Sequence, residues 1–219
     1  MVFRAMNINE LSEDMTAHYF PLLTDAKKEK ILKMSNFNEK NIAFCSEILA
    51  RQCLSELCDA PEFSFSLLCN PNSKSAVGNF DAEISISSAG DFIACAASHD
   101  YVGVGISPIM PFSFQDAQKN LTDAEIRAVF SESGYSFSDI IKQPLCKEKS
   151  AIIKYAVFSS LKDAYFYASG RGIRSDRRNY YFEFEGTSMA CSDKSFSVVK
   201  SYVDSKENVA VSVIERCKK

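Results

Sequence analysis

A lysine and an acid stand on adjacent positions, Lys162 and Asp163, within the stretch Phe158-Ser159-Ser160-Leu161-Lys162-Asp163-Ala164-Tyr165-Phe166-Tyr167. The stretch reads as part of a long helix, and Gly170 supplies its left-handed stop. Beyond it, Arg171, Arg174, Arg177 and Arg178 form a basic loop with the charge to meet a phosphate or an acidic protein surface. Read by composition alone, that loop is a solvated one. The only histidines are His18 and His99, too few for a histidine-based metal site. His99 stands in a turn beside Asp100 and reads as an exposed side chain rather than a general base. There is no G-x-S-x-G elbow and no phosphate-binding P-loop, and Gly103-x-Gly105 lies in a strand with no helix after it.

The eight cysteines are scattered, with no C-x-x-C and no Cys/His spacing suited to zinc. Cys45 and Cys53 fall on one helix face and Cys95 in a strand, so the expectation is of reduced, mostly buried thiols in a cytoplasmic protein. Acidic residues stand where a signal peptide would have its apolar core. The apolar runs fall far short of the roughly 20 residues that span a bilayer. With 219 residues, 46% of them hydrophobic, the chain is long enough to bury a sizeable core. A net charge of −3 offers nothing to nucleic acid or an anionic membrane.

The elements that must position these residues alternate between helix and strand. Thr24-Asp25 caps a basic helix from Ala26 to Met34, and a longer helix runs from about Glu39 to Cys58. Strands are predicted over Phe63–Leu68, Ala82–Ser87, Phe92–Ala97 and Val102–Ser107. Thr122-x-x-Glu125 is a capping box opening a helix to about Phe130, and Ser131 to Pro144 reads as a connecting loop. The dominant helix spans about Lys147 to Ser169, followed by strands over Asn179–Phe184, Ser195–Val203 and Asn208–Val213. Two similar α+β halves result, residues 1–100 and 101–219, each a long helix packed on a small, mainly antiparallel sheet. No repeat is convincing at the level of sequence; the duplication is inferred from element order alone.

Laid along the chain, several segments together resemble the 4′-phosphopantetheinyl transferases of the single-chain, pseudo-dimeric type. Lys27-Lys28-Glu29-Lys30 is similar to that family's K-R-E-K helix, and Ser73-Lys74-Ser75 stands where it has Gly-Lys-Pro. Ser85-Ile86-Ser87-Ser88-Ala89-Gly90 aligns with Asn-Ile-Ser-His-Ser-Gly, and Gly103-Val104-Gly105-Ile106-Ser107 with Gly-Ile-Asp-Ile-Glu. Ser159 to Tyr167 resembles the W-x-x-K-E-A/S-x-x-K helix.

The resemblance implies an enzyme that moves phosphopantetheine from coenzyme A to a serine of an acyl or peptidyl carrier protein, as a monomer, releasing 3′,5′-ADP. Coenzyme A would lie between the halves. Lys27, Lys30 and Lys74 would meet its phosphates, Ser87 and Ser88 would donate to them, and Lys162 would neutralise them. Asp163 would be a magnesium ligand in a weakened site. The family's other two acids are Gly105 and Ser107 here, and shifting the strand register by two places restores neither. The motif histidine is Ser88, the second lysine of the helix is Tyr167 and an arginine-like position is Ile42. Two readings stand: a divergent transferase, or a non-catalytic relative that binds coenzyme A, a related nucleotide or a carrier protein.

Overall fold

The computed structural model describes residues 1–68, 76–131, 145–170, 176–185 and 188–217. The fold is mixed helix and strand with small antiparallel sheets. It divides into two units, Met1–Asp100 and Tyr101–Lys219.

The first unit runs β1 (Val2–Asn7), α1 (Glu13–Tyr19), α2 (Asp25–Lys33), α3 (Phe37–Cys58), β2 (Leu67–Leu68), β3 (Ala76–Val77), β4 (Glu83–Ala89) and β5 (Phe92–Ser98). Its sheet has the order β1-β5-β4-β3-β2, antiparallel throughout. Every residue of β5 is buried, which is why its sequence runs apolar from Phe92 to Ala97 rather than alternating. Cys45, Leu49 and Cys53 recur every fourth residue along α3 and pack on Ile84, Ile93 and Cys95 of the sheet. Asn36 caps the start of α3 by accepting from the Asn38 and Glu39 amides, and Asp59, at φ 48°, ends it.

In the second unit come β6 (Val102–Pro108), α4 (Phe114–Asn120), α5 (Asp123–Phe130), α6 (Lys149–Ser169), β7 (Phe182–Glu185), β8 (Ser188–Cys191), β9 (Phe196–Asp204) and β10 (Val209–Arg216). Strands β6-β10-β9 form one antiparallel sheet and β7-β8 a hairpin. Helix α6 is buried over most of its length and lies on β6 and β10, with Phe158, Leu161, Tyr165 and Phe166 in the core. Both short helices open with capping boxes, Ser113 with Asp116 and Thr122 with Glu125. Gly170 ends α6 at φ 67° as expected.

Strands β1, β3 and β8 and helices α1 and α4 are elements that hydrophobic periodicity did not mark. Two predicted strands are cut short, for one physical reason. The expected strand Phe63–Leu68 is mostly a turn, because side chains satisfy its backbone: Arg51 Nη1 donates to the carbonyls of Glu62 and Phe65, and Asn79 engages Ser64 and Ser66. Likewise the expected strand Asn179–Phe184 starts only at Phe182. The carbonyls of Arg177 and Tyr180 accept from Lys162, and the Phe182 amide donates to Glu125. Most of the predicted loop from Ser131 to Pro144 lies outside the described residues.

The described cysteines are free thiols, with Cys45, Cys53, Cys95 and Cys191 buried and Cys217 exposed; Cys69 lies outside the described residues. Burial pushes Cys45 and Cys191 from 9.0 up to about 11. The unfolded chain ionises these thiols first. The stability they contribute is therefore complete below pH 9 and is lost as the pH rises towards 11. Urea unfolding should show a steeper alkaline loss for the wild type than for a Cys45→Ala/Cys191→Ala variant, by about 1.4 kcal/mol per pH unit for each thiol. Equal slopes would show that other groups drive the loss.

Candidate functional site

The charged centre of the second unit is assembled from three elements. Helix α5 contributes Glu125, α6 contributes Lys162 and Asp163, and the turn at Arg177–Asn179 contributes Arg177. Glu125 and Lys162 are 1% and 0% exposed, and Lys162 Nζ lies 2.9 Å from Glu125 Oε2. The same ammonium donates to the carbonyls of Arg177 at 2.8 Å and Tyr180 at 2.5 Å, and it lies 4.7 Å from the Tyr180 ring centroid. Three partners match the three N–H donors of an ammonium group. Burial lowers the Lys162 proton affinity, and the Glu125 charge pulls the other way.

Lys162 therefore has a different task from the one its motif implies. Its donors are taken up inside the core, and none is directed at a ligand phosphate. It clamps the segment 177–180, and that clamp sets the position of Arg177. The Arg177 guanidinium forms an ion pair with Asp163, donates from Nη1 to Asn120 Oδ1 at 3.2 Å and lies 5.3 Å over the Phe166 ring. Arg177 is thus a held, partly buried cation and not the solvated loop residue expected. Arg178 pairs with Asp123 at 2.9 Å, while Arg171 and Arg174 lie outside the described residues.

Gly105 and Ser107 sit on β6 where it meets α6. A Cβ built at Gly105 would overlap the Ser160 carbonyl oxygen and stand 2.7 Å from the Ala164 nitrogen and 2.9 Å from Asp163 Cβ. At Gly103 it would overlap the Ala164 carbonyl oxygen and approach the Ala168 nitrogen at 2.5 Å. The two glycines let strand and helix touch backbone to backbone. Position 105 therefore faces Asp163, and helix backbone fills the space where an acid side chain would begin. Ser107 is buried.

Magnesium does not fit these residues. It requires several oxygen ligands at near-octahedral geometry. Of the three acid positions that the resemblance implies, Asp163 alone carries a carboxylate, and Arg177 engages it; position 105 has no room for a side chain, and the nearby Glu125 is taken up by Lys162. No group of three His, Cys, Asp or Glu side chains suited to a metal occurs among the described residues.

In the first unit Lys27 is ion-paired with Glu47 of α3, with both side chains largely buried, and Glu47 Oε1 lies 3.0 Å from Arg51 Nη2. Lys27 is thus committed within the fold. Lys30 is exposed one turn along α2, and Ser87 and Ser88 lie at the end of β4, with Ser88 exposed before the Gly90 turn. The Lys27 ammonium is directed at Glu47 and not at Ser87 or Ser88. Lys74 lies outside the described residues. Asp91 accepts from Asn38 Nδ2 at 3.3 Å, and His99 Nδ1 lies 2.8 Å from the Asp81 carbonyl oxygen.

Sequence reasoning missed Glu125 as a partner of Lys162, and Arg177 as a partner of Asp163. One signal was present: Leu23-Thr24-Asp25-Ala26 recurs as Leu121-Thr122-Asp123-Ala124, each at the start of a short helix. The following residue, Lys27 or Glu125, is in each case the charge that reaches the long helix. Comparison with protein-family models and with curated proteins gives no match to the chain.

Proposed function

We propose that this chain is a phosphopantetheinyl-transferase-like protein that binds coenzyme A or a carrier protein without carrying out magnesium-dependent transfer. The observation that carries the reading is the junction of β6 and α6. Asp163 is paired with Arg177, and the Gly105 slot is closed by helix backbone, so the metal that would steady a migrating phosphoryl group has no ligand set. The resemblance itself is supported by a shared order in the two units. Each has an opening strand, short helices, a long helix and then strands, with the opening strand antiparallel to the last and the last to its predecessor: β1-β5-β4 and β6-β10-β9. This order supports a duplicated unit.

A second reading, the divergent transferase, draws on Asp163. Its side chain is 35% exposed and faces Gly105, as a catalytic carboxylate on that helix would be placed. The deciding assay incubates the chain with coenzyme A, magnesium and several apo carrier proteins, and weighs the carriers by mass spectrometry. The binding reading expects no phosphopantetheine mass gain where a working control enzyme gives one. A gain that disappears in Asp163→Ala would establish the transferase instead.

A further inference from the structure

We propose that Arg177 is the resident cation of this site, standing where the resemblance implies magnesium, and that it meets a phosphate or diphosphate group of the ligand without any metal. The proposal rests on the coenzyme A reading above for the identity of that ligand. Four contacts hold the residue. Its carbonyl accepts from Lys162, its guanidinium pairs with Asp163, its Nη1 donates to Asn120 and its plane lies over Phe166. The side chain remains 24% exposed, beside an Asp163 that is 35% exposed. A guanidinium has five N–H donors in a fixed fork, and Asp163 and Asn120 engage only part of it. Held in place before the ligand arrives, the rest of that fork matches the oxygen spacing of a phosphate group.

Electrostatics favours the exchange of one cation for the other. A divalent ion needs several anions to hold it, whereas one guanidinium is balanced by the one carboxylate that remains. The buried Glu125–Lys162 pair serves as the foundation, because Lys162 anchors the Arg177 carbonyl. Arg177 is thus a ligand-binding residue, and Lys162 and Glu125 are positioning residues.

The test uses the full chain, calorimetry, and two probes, coenzyme A in EDTA and in magnesium, and inorganic pyrophosphate in EDTA. Arg177→Gln should weaken binding by about tenfold or more, and Arg177→Lys by less, because it keeps the charge and loses the fork. Magnesium should change the wild-type affinity for coenzyme A by less than about threefold, and pyrophosphate, which complexes magnesium in solution, is compared between variants in EDTA. Thermal melts check folding, and Arg177→Lys carries the test if Arg177→Gln does not fold. Magnesium-dependent binding of coenzyme A, or binding indifferent to both variants, overturns the proposal. Arg177-dependent binding of pyrophosphate with no binding of coenzyme A upholds the cation and sinks the coenzyme reading. Absence of binding by either probe sinks both. A separate titration with manganese, followed by electron paramagnetic resonance, should show no site that Asp163→Asn abolishes; finding one also overturns the proposal.

Discussion

Gly105→Ala is expected to lower the free energy of unfolding by about 3 kcal/mol or more, at or beyond the upper end of ordinary overpacking costs. The reason is the nature of the neighbours. The added methyl would meet the Ser160 carbonyl oxygen and the Ala164 nitrogen, which belong to the backbone of α6 and cannot swing aside as a side-chain tip would. Relief requires moving a 21-residue helix off strands β6 and β10, where it holds the core of the second unit. Gly105→Asp, which restores the acid that the family resemblance implies, should be worse and should confer no magnesium binding. Urea unfolding and a magnesium titration check both points. A Gly105→Asp protein as stable as the wild type, with a magnesium site, would show that α6 yields to a side chain at this position and that packing does not exclude the acid.

Glu125→Ala should cost about 3–5 kcal/mol, since it strips the partner from an ammonium sealed in the core. The same carboxylate closes the Thr122 capping box and accepts from the Phe182 amide, so three sets of contacts fail together. Replacing both charges, as in Glu125→Leu with Lys162→Met, should recover a substantial part of the loss, because the desolvation of an unpaired charge disappears. The measurement is a double-mutant cycle by urea unfolding. A Glu125→Ala loss below about 1 kcal/mol would mean that the pair contributes little. In the cycle, strict additivity would mean that the two charges do not act together.

The long helices, the short helix at Thr122, strands β4, β5, β6, β9 and β10 and the Gly170 stop were legible because each rests on local rules: apolar spacing, a capping box and a glycine in the left-handed region. The segments around Phe63 and Tyr180 were not. They are apolar enough to read as strand, yet distant cations on the long helices, Arg51 and Lys162, take their carbonyls and bend them into turns. The site was half legible for the same reason. Lys162-Asp163 is visible as a pair of neighbours in sequence, but adjacent helical residues point in different directions, and their partners lie on other elements. Gly105 read as a missing acid. Only the close approach of α6 shows that it is a residue required by packing.

The two short helices that follow the repeated Leu-Thr-Asp-Ala carry opposite charges into their units. Lys27 reaches Glu47 on α3, and Glu125 reaches Lys162 on α6. The two short helices are therefore not interchangeable. Exchanging them would set Lys27 against Lys162 with no carboxylate between them, and Glu125 against a Glu47 that only Arg51 balances. The inverted polarity gives each short helix a charge that matches its own long helix and not the other.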